Sequence, residues 1–182
     1  MGIAQGGGLA DTLSDRHHGP PKCILSFRGV SGTAPMGWTG EAERLEFQNR
    51  KSVETTMHDR RAFTDQETND LATFLRSLSP IPVKRIDDPT ILKGAQIFER
   101  LDCESCHCSP LCATSRAYEI GFMDERGDGS FNPPSLRGVK YRSSLLLDGR
   151  ASSFEDFSVI HEHQLQEELH SRDLVELLAL LW

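Results

Sequence analysis

Cys103, Cys106 and His107, within LDCESCHC at 101–108, are the side chains best suited to chemistry. Two thiols about one helical turn apart, followed at once by an imidazole, fit three chemistries. In a covalent haem, the cysteines reach the two vinyl groups on one porphyrin edge and the histidine sits beneath the iron. In a four-thiolate zinc site, Cys103, Cys106, Cys108 and Cys112 are the ligands and His107 is a spare. Zinc ribbons usually set their two cysteine pairs about 12–20 residues apart, and here the pairs nearly collide. A thioredoxin-like redox pair needs a βαβ setting, whereas the surrounding pattern is helical. Spacing therefore favours haem and leaves zinc and redox chemistry open.

The remaining composition narrows the setting. The chain has 182 residues, 37% hydrophobic and 26% charged, enough for a modest core in one medium or two small domains. The net charge of −7 argues against nucleic acid as a partner. No run approaches the roughly eighteen apolar residues of a membrane span. Four of the five cysteines lie between 103 and 112 and Cys23 stands alone, a clustering that suits a local cofactor better than a disulfide framework. Haem is joined to cysteine outside the cytoplasm. The opening MGIAQGGGLADT lacks the charged start and apolar stretch of a secretory signal. A haem reading thus carries the expectation of a cell-envelope or periplasmic location and of a missing natural N-terminus.

Elements that must hold the cysteine cluster can be read from periodicity. DDPTILKGAQIFERL predicts a helix with Ile91, Ala95, Phe98 and Leu101 on one face, ending at the cluster. Two stretches look alike: FRGVSGTAPMGWTG at 27–40 and LRGVKYRSSLLLDG at 136–149. Each precedes a candidate amphipathic helix, at about 41–59 and 152–166. A closing helix follows in each half, TDQETNDLATFLRSL and SRDLVELLALL, in which Leu71, Phe74, Leu75 and Leu78 match Leu174, Leu177, Leu178 and Leu181. Thr64 with Glu67, and Ser152 with Glu155, predict capping-box starts. SPIPV at 79–83 reads as a linker. The chain is thus mostly α: two related helical modules, at 1–80 and 86–182, of which only the second has the front helix and the haem motif.

From residue 90 onward the chain resembles the C-terminal haem domain of bacterial di-haem cytochrome c peroxidases and MauG-like proteins. GAQIFERLDCESCH, FNPPSLRGV, LLLDGRASSFEDF and DLVELLALL carry the likeness, in that order. Residues 21–80 look like the back half of the family's other haem domain. The resemblance implies a cytochrome c-like helical domain holding one haem c, with iron on His107, preceded by an incomplete sister module. It departs at Leu147, where the family often has a histidine before Asp-Gly, and in the extra Cys108 and Cys112, for which a local disulfide is one expectation.

Ligation of the iron's other face decides between an electron carrier and a peroxide-binding centre. In relatives, the distal ligand comes from the helix after Asp-Gly-x, and counting from Asp148 lands on His161. His163 is the second choice; on a helix the two point about 200° apart, so one iron takes only one of them. Met123, in the loop GFMDERGDG, is a further candidate. Met57 suits a haem absent from this chain. Arg137 is the first candidate for a haem propionate, because guanidinium pairs carboxylates bidentately, with Tyr141 and Arg142 as possible additions. Arg142 reads more readily as a surface cation. Pro134, with Pro133, holds an extended loop against the haem. Gly94 and Phe98 mark a close helix crossing against the closing helix. The expected function is one-electron transfer to a redox partner protein or a neighbouring haem domain. The alternatives are peroxide reduction alongside a second haem domain, and a non-haem zinc module.

Overall fold

The computed structural model describes residues 9–10, 22–56, 61–82, 88–124, 126–154, 156, 163 and 169–181. Their order is β1 (Leu9–Ala10), β2 (Lys22–Cys23), α1 (Leu45–Lys51), a π-helical turn (Ser52–Thr56), α2 (Asp65–Ser77), α3 (Pro89–Arg100), a 3-10 turn (Cys103–Ser105), β3 (Tyr118–Glu119), β4 (Ser130–Phe131), a second 3-10 turn (Val139–Tyr141) and α4 (Ser171–Leu181). The architecture is helical, with two minimal antiparallel ladders that periodicity does not announce. Leu9 faces Cys23 in one, and Tyr118 faces Phe131 in the other. Among the described residues no helix is long and apolar enough to cross a membrane.

Helix starts follow local chemistry. Thr64 caps α2 through a complete capping box with Glu67, as the sequence predicts. Asp88 caps α3 by accepting from the Thr90 amide at 2.8 Å, and Pro89 occupies the first helical position, where its missing N–H costs nothing. Near the cap predicted at Ser152 with Glu155, the described contacts are those of Ser152, Ser153 and Asp156. Ser153 Oγ accepts from the Asp156 amide at 3.0 Å, and Asp156 reaches back to Ser152. Glu155 and most of the helix expected at 152–166 lie outside the described residues. The helix expected at 41–59 begins only at Leu45, because Met36 and Ala42 pair as an isolated bridge and keep the preceding chain extended.

α3 and α4 form the core of the second half. Ile97, Phe98, Leu101 and Leu177 are buried together, with Leu136, Phe154 and Leu181 packed around them. Ile91 and Gly94 share the buried face, whereas Ala95, expected there, is exposed. The reason is where α4 crosses. A Cβ added at Gly94 would lie 2.2 Å from the Glu176 carbonyl oxygen, so the two backbones nearly touch and the buried face centres on Gly94. The crossing expected at Gly94 and Phe98 is present. In the first half, Val30, Leu45, Ala72 and Leu75 form a smaller core.

The two look-alike stretches adopt one backbone shape. Gly29 and Gly138 take φ of 72° and 70°, a region that favours glycine. The Met36–Ala42 bridge has its counterpart in Leu145–Ala151. The stretches also brace each other. Cys23 N donates to Leu147 O and Asn132 N donates to Trp38 O, each at 2.7 Å. Asn132 Nδ2 donates to Pro35 O at 2.6 Å, while Cys23 Sγ lies 3.9 Å from Ser144 O. Equivalent positions thus exchange equivalent hydrogen bonds across an internal pseudo-twofold relation.

Candidate cofactor site

α3 ends at Leu101, where Asp102 turns into the left-handed region and the chain enters the Cys103–Ser105 turn. This reversal brings Cys103, Cys106 and His107 to the wall of one largely apolar cavity. α3 and α4 supply Phe98, Leu177 and Leu181; the loop after β4 supplies Pro133, Pro134 and Leu136. The first half closes the cavity with Cys23, Ile24, Leu25 and Trp38, and Trp38 is fixed by its indole N–H donating to Cys23 O at 3.0 Å.

His107 is a buried, neutral imidazole. Its Nδ1 lies 3.4 Å from the Cys112 carbonyl. A carbonyl can only accept, so this contact favours the tautomer with the proton on Nδ1 and the lone pair on Nε2. Burial lowers the His107 pKa to about 4, reinforced by the positive fields of His163 and Arg142 and opposed by the Cys112 and Pro134 carbonyls. The imidazole is therefore uncharged near neutral pH. Cys112 reaches this position through a left-handed backbone, φ 50°. Burial, with smaller contributions from Asp102 and Cys106, pushes the Cys103 thiol up to about 11. It is held as S–H rather than thiolate.

His163, the second-choice ligand, lines the same cavity and its pKa is lowered by burial. His161 and Met57 lie outside the described residues. Met123 is 69% exposed and outside the cavity wall. Pro134 stands in the wall; Arg137 does not, and its Nη2 donates to Pro110 O at 2.6 Å. Arg142, the less favoured arginine in the sequence, is the one that lines the cavity. Arg150 is held by Asp148, at 2.6 Å from Nη2, and lies over the Phe122 ring. Leu147, where relatives often carry histidine, is 2% exposed in the cavity wall. All five cysteines are free thiols. Among the described residues, no three His, Cys, Asp or Glu side chains converge as a metal-binding group. Cys108 instead turns its thiol to the Glu104 carbonyl at 3.2 Å.

No protein-family model matches the chain, and no curated protein matches it. Solved structures do. Hydrazine synthase from Kuenenia stuttgartiensis superposes with a TM-score of 0.79 at 18% identity, over 96% of this chain and 76% of that one. A MauG-like protein associated with microbial copper homeostasis gives 0.68 at 14% identity, over 88% and 72%. The diheme peroxidase of Burkholderia thailandensis gives 0.52 at 12% identity, over 94% and 70%. The chain has a MauG-like di-haem peroxidase fold. In this MauG-like fold the Cys-x-x-Cys-His segment follows α3 directly, and the two braced loops enclose the cavity beside it. First-half residues in the wall had no sequence signal, because contacts between positions a hundred residues apart leave no periodic trace.

Proposed function

We propose that this chain is a c-type haem protein of the cell envelope that transfers single electrons. The observation that carries the reading is that Cys103, Cys106, neutral His107 and His163 all face one apolar cavity. These residues fit the group. Each cysteine can add its S–H across a vinyl C=C with no net redox change. His107 offers Nε2 as proximal ligand, its ring oriented by the Cys112 carbonyl. We assign His163, which lines the same cavity, as the second imidazole that would hold the iron. When bound, iron porphyrin supplies a ferric/ferrous couple whose potential follows its axial ligands. The protein's part is to exclude water with Phe98, Leu147 and Leu177, to hold both imidazoles neutral, and to leave an apolar rim. Ile24, 47% exposed and in the wall, marks that rim and the natural contact for a redox partner protein or a neighbouring haem domain. Residues 1–80 and 86–182 are read as the incomplete sister module and the haem-bearing module.

A second reading, peroxide reduction, is supported by the likeness of fold to a diheme peroxidase. It needs an open coordination position and a second haem, whereas this sequence holds one Cys-x-x-Cys-His. One experiment addresses both readings. Protein made in a periplasm with haem-maturation machinery should give a reduced pyridine haemochrome spectrum of one c-type haem per chain. It should be low-spin, and His163→Ala should convert it to high-spin while His161→Ala leaves it unchanged. A high-spin wild type that turns over peroxide would favour the enzyme. A colourless product with alkylatable Cys103 and Cys106 and stoichiometric zinc would overturn the haem reading.

A further inference from the structure

Arg142 brings a guanidinium into a largely apolar cavity wall whose other polar members include Asp102, Asn132, His107 and His163. It follows the Val139–Tyr141 turn, and its backbone N–H is tied to Val139 O at 3.0 Å, so the side chain leaves a fixed point. Nη2 donates to the Ser135 carbonyl at 2.5 Å. Among the described residues, that is its whole side-chain hydrogen bonding, and no carboxylate pairs with it. A guanidinium carries five N–H donors in a planar fork, so most of this one is left for a ligand. A half-buried cation with free donors favours an anionic ligand, because partial desolvation strengthens its pull on an opposite charge. Burial indeed holds Arg142 below its usual basicity, and its charge adds to the suppression of His107 protonation. The other arginines near the site are engaged elsewhere, Arg137 on Pro110 O and Arg150 on Asp148.

We propose that Arg142 is a carboxylate-binding residue of this cavity, pairing bidentately with one propionate of the bound porphyrin and fixing the macrocycle's rotation over His107. The assignment rests on the haem reading above. Tethering Nη2 to Ser135 O preorients the fork, so little side-chain freedom is lost on pairing. The pair also neutralises the charge that His107 and its iron would otherwise feel.

The test uses holoprotein matured with isotope-labelled propionate carboxyls and redox-difference infrared spectroscopy, with the midpoint potential measured in parallel. Arg142→Gln should shift one labelled carboxylate band and lower the potential, because a nearby positive charge that favours ferrous iron is gone. Arg142→Lys keeps charge without the fork and should restore the potential but not the band. Arg137→Gln should match wild type in both. If Arg142→Gln holoprotein keeps the wild-type band, the proposal is overturned. If that variant retains no haem, Arg142→Lys decides, and a wild-type band in it overturns the proposal equally. Wild-type protein that shows no labelled band because it carries no haem defeats the haem reading itself, and the proposal falls with it.

Discussion

The two halves of this molecule share a loop and differ in what covers their closing helix. Gly29 and Gly138, and the Met36–Ala42 and Leu145–Ala151 bridges, give both loops one course, with Val30 and Val139 buried at matching points. Leu177 on α4 is 3% exposed beneath α3, whereas its counterpart on α2, Phe74, is 53% exposed. Among the described residues, α1 packs on α2 in the first half, but only in the second half does the packed helix, α3, end in a Cys-x-x-Cys-His turn. Left-handed glycines, a short bridge and hydrogen bonds to the opposite loop recur in both halves, whereas the Cys-x-x-Cys-His turn stands after α3 alone among the described residues.

The sharpest way to break the comparison is at Gly94. A Cβ there meets the Glu176 carbonyl oxygen at 2.2 Å, and backbone cannot step aside as a flexible side chain could. Gly94→Leu should part α3 from α4, with a loss of roughly 3 kcal/mol or more. Urea denaturation followed by tryptophan fluorescence, and the fraction of protein carrying covalent haem, both report it. Near wild-type values in both would mean that the helices do not cross at this point.

Next in size is the pair Leu177→Ala and Phe74→Ala. Emptying the Leu177 site should cost about 2–5 kcal/mol, as for a fully buried leucine. Phe74→Ala removes a half-exposed ring and should cost under about 1 kcal/mol. Equal losses in urea midpoints would show that the Phe74 ring is packed as tightly as Leu177, and would dissolve the difference drawn above.

Legibility followed the range of the interaction. Thr64 with Glu67 and Gly94 four residues from Phe98 are local signals, and each stands in the structure where the sequence puts it. Ala95 was misplaced because a crossing angle, not periodicity alone, decides which neighbour of Gly94 is buried. The early end of α1 in a π-helical turn at Ser52–Thr56 has no sequence mark we can name. At the site, Cys103, Cys106 and His107 are legible because their spacing is the chemistry. The cavity-facing side of Arg142 was not. Its direction is set by a left-handed turn at Gly138 and by the Ser135 carbonyl, and neither alters the hydropathy pattern.

The smallest effect concerns the clamps that join helices within each half. Arg76 donates to both oxygens of Glu46, at 2.6 and 2.9 Å, tying α2 to α1, while Arg100 ties α3 to α4 through Asp173 at 2.6 Å. The Arg76 hydrogen bond, aided by the residue's own backbone N–H, holds the Glu46 carboxyl below the usual carboxylate range. The sign follows from linkage. A carboxyl whose folded pKa is depressed adds stability above its unfolded pKa of about 4.3 and loses it as pH falls through the folded value. Because the pair is partly solvated, Glu46→Gln should cost only about 0.2–1 kcal/mol at pH 7. That difference should shrink towards zero as the medium is acidified below the unfolded pKa, and also in molar salt. Hydrogen exchange locates it: α2 amides should lose protection in Glu46→Gln while α4 amides keep theirs. Equal loss in α4 would mean that the halves open as one unit, and the hydrogen bonds exchanged between Cys23, Asn132 and their partners would then couple the two cores rather than merely align them.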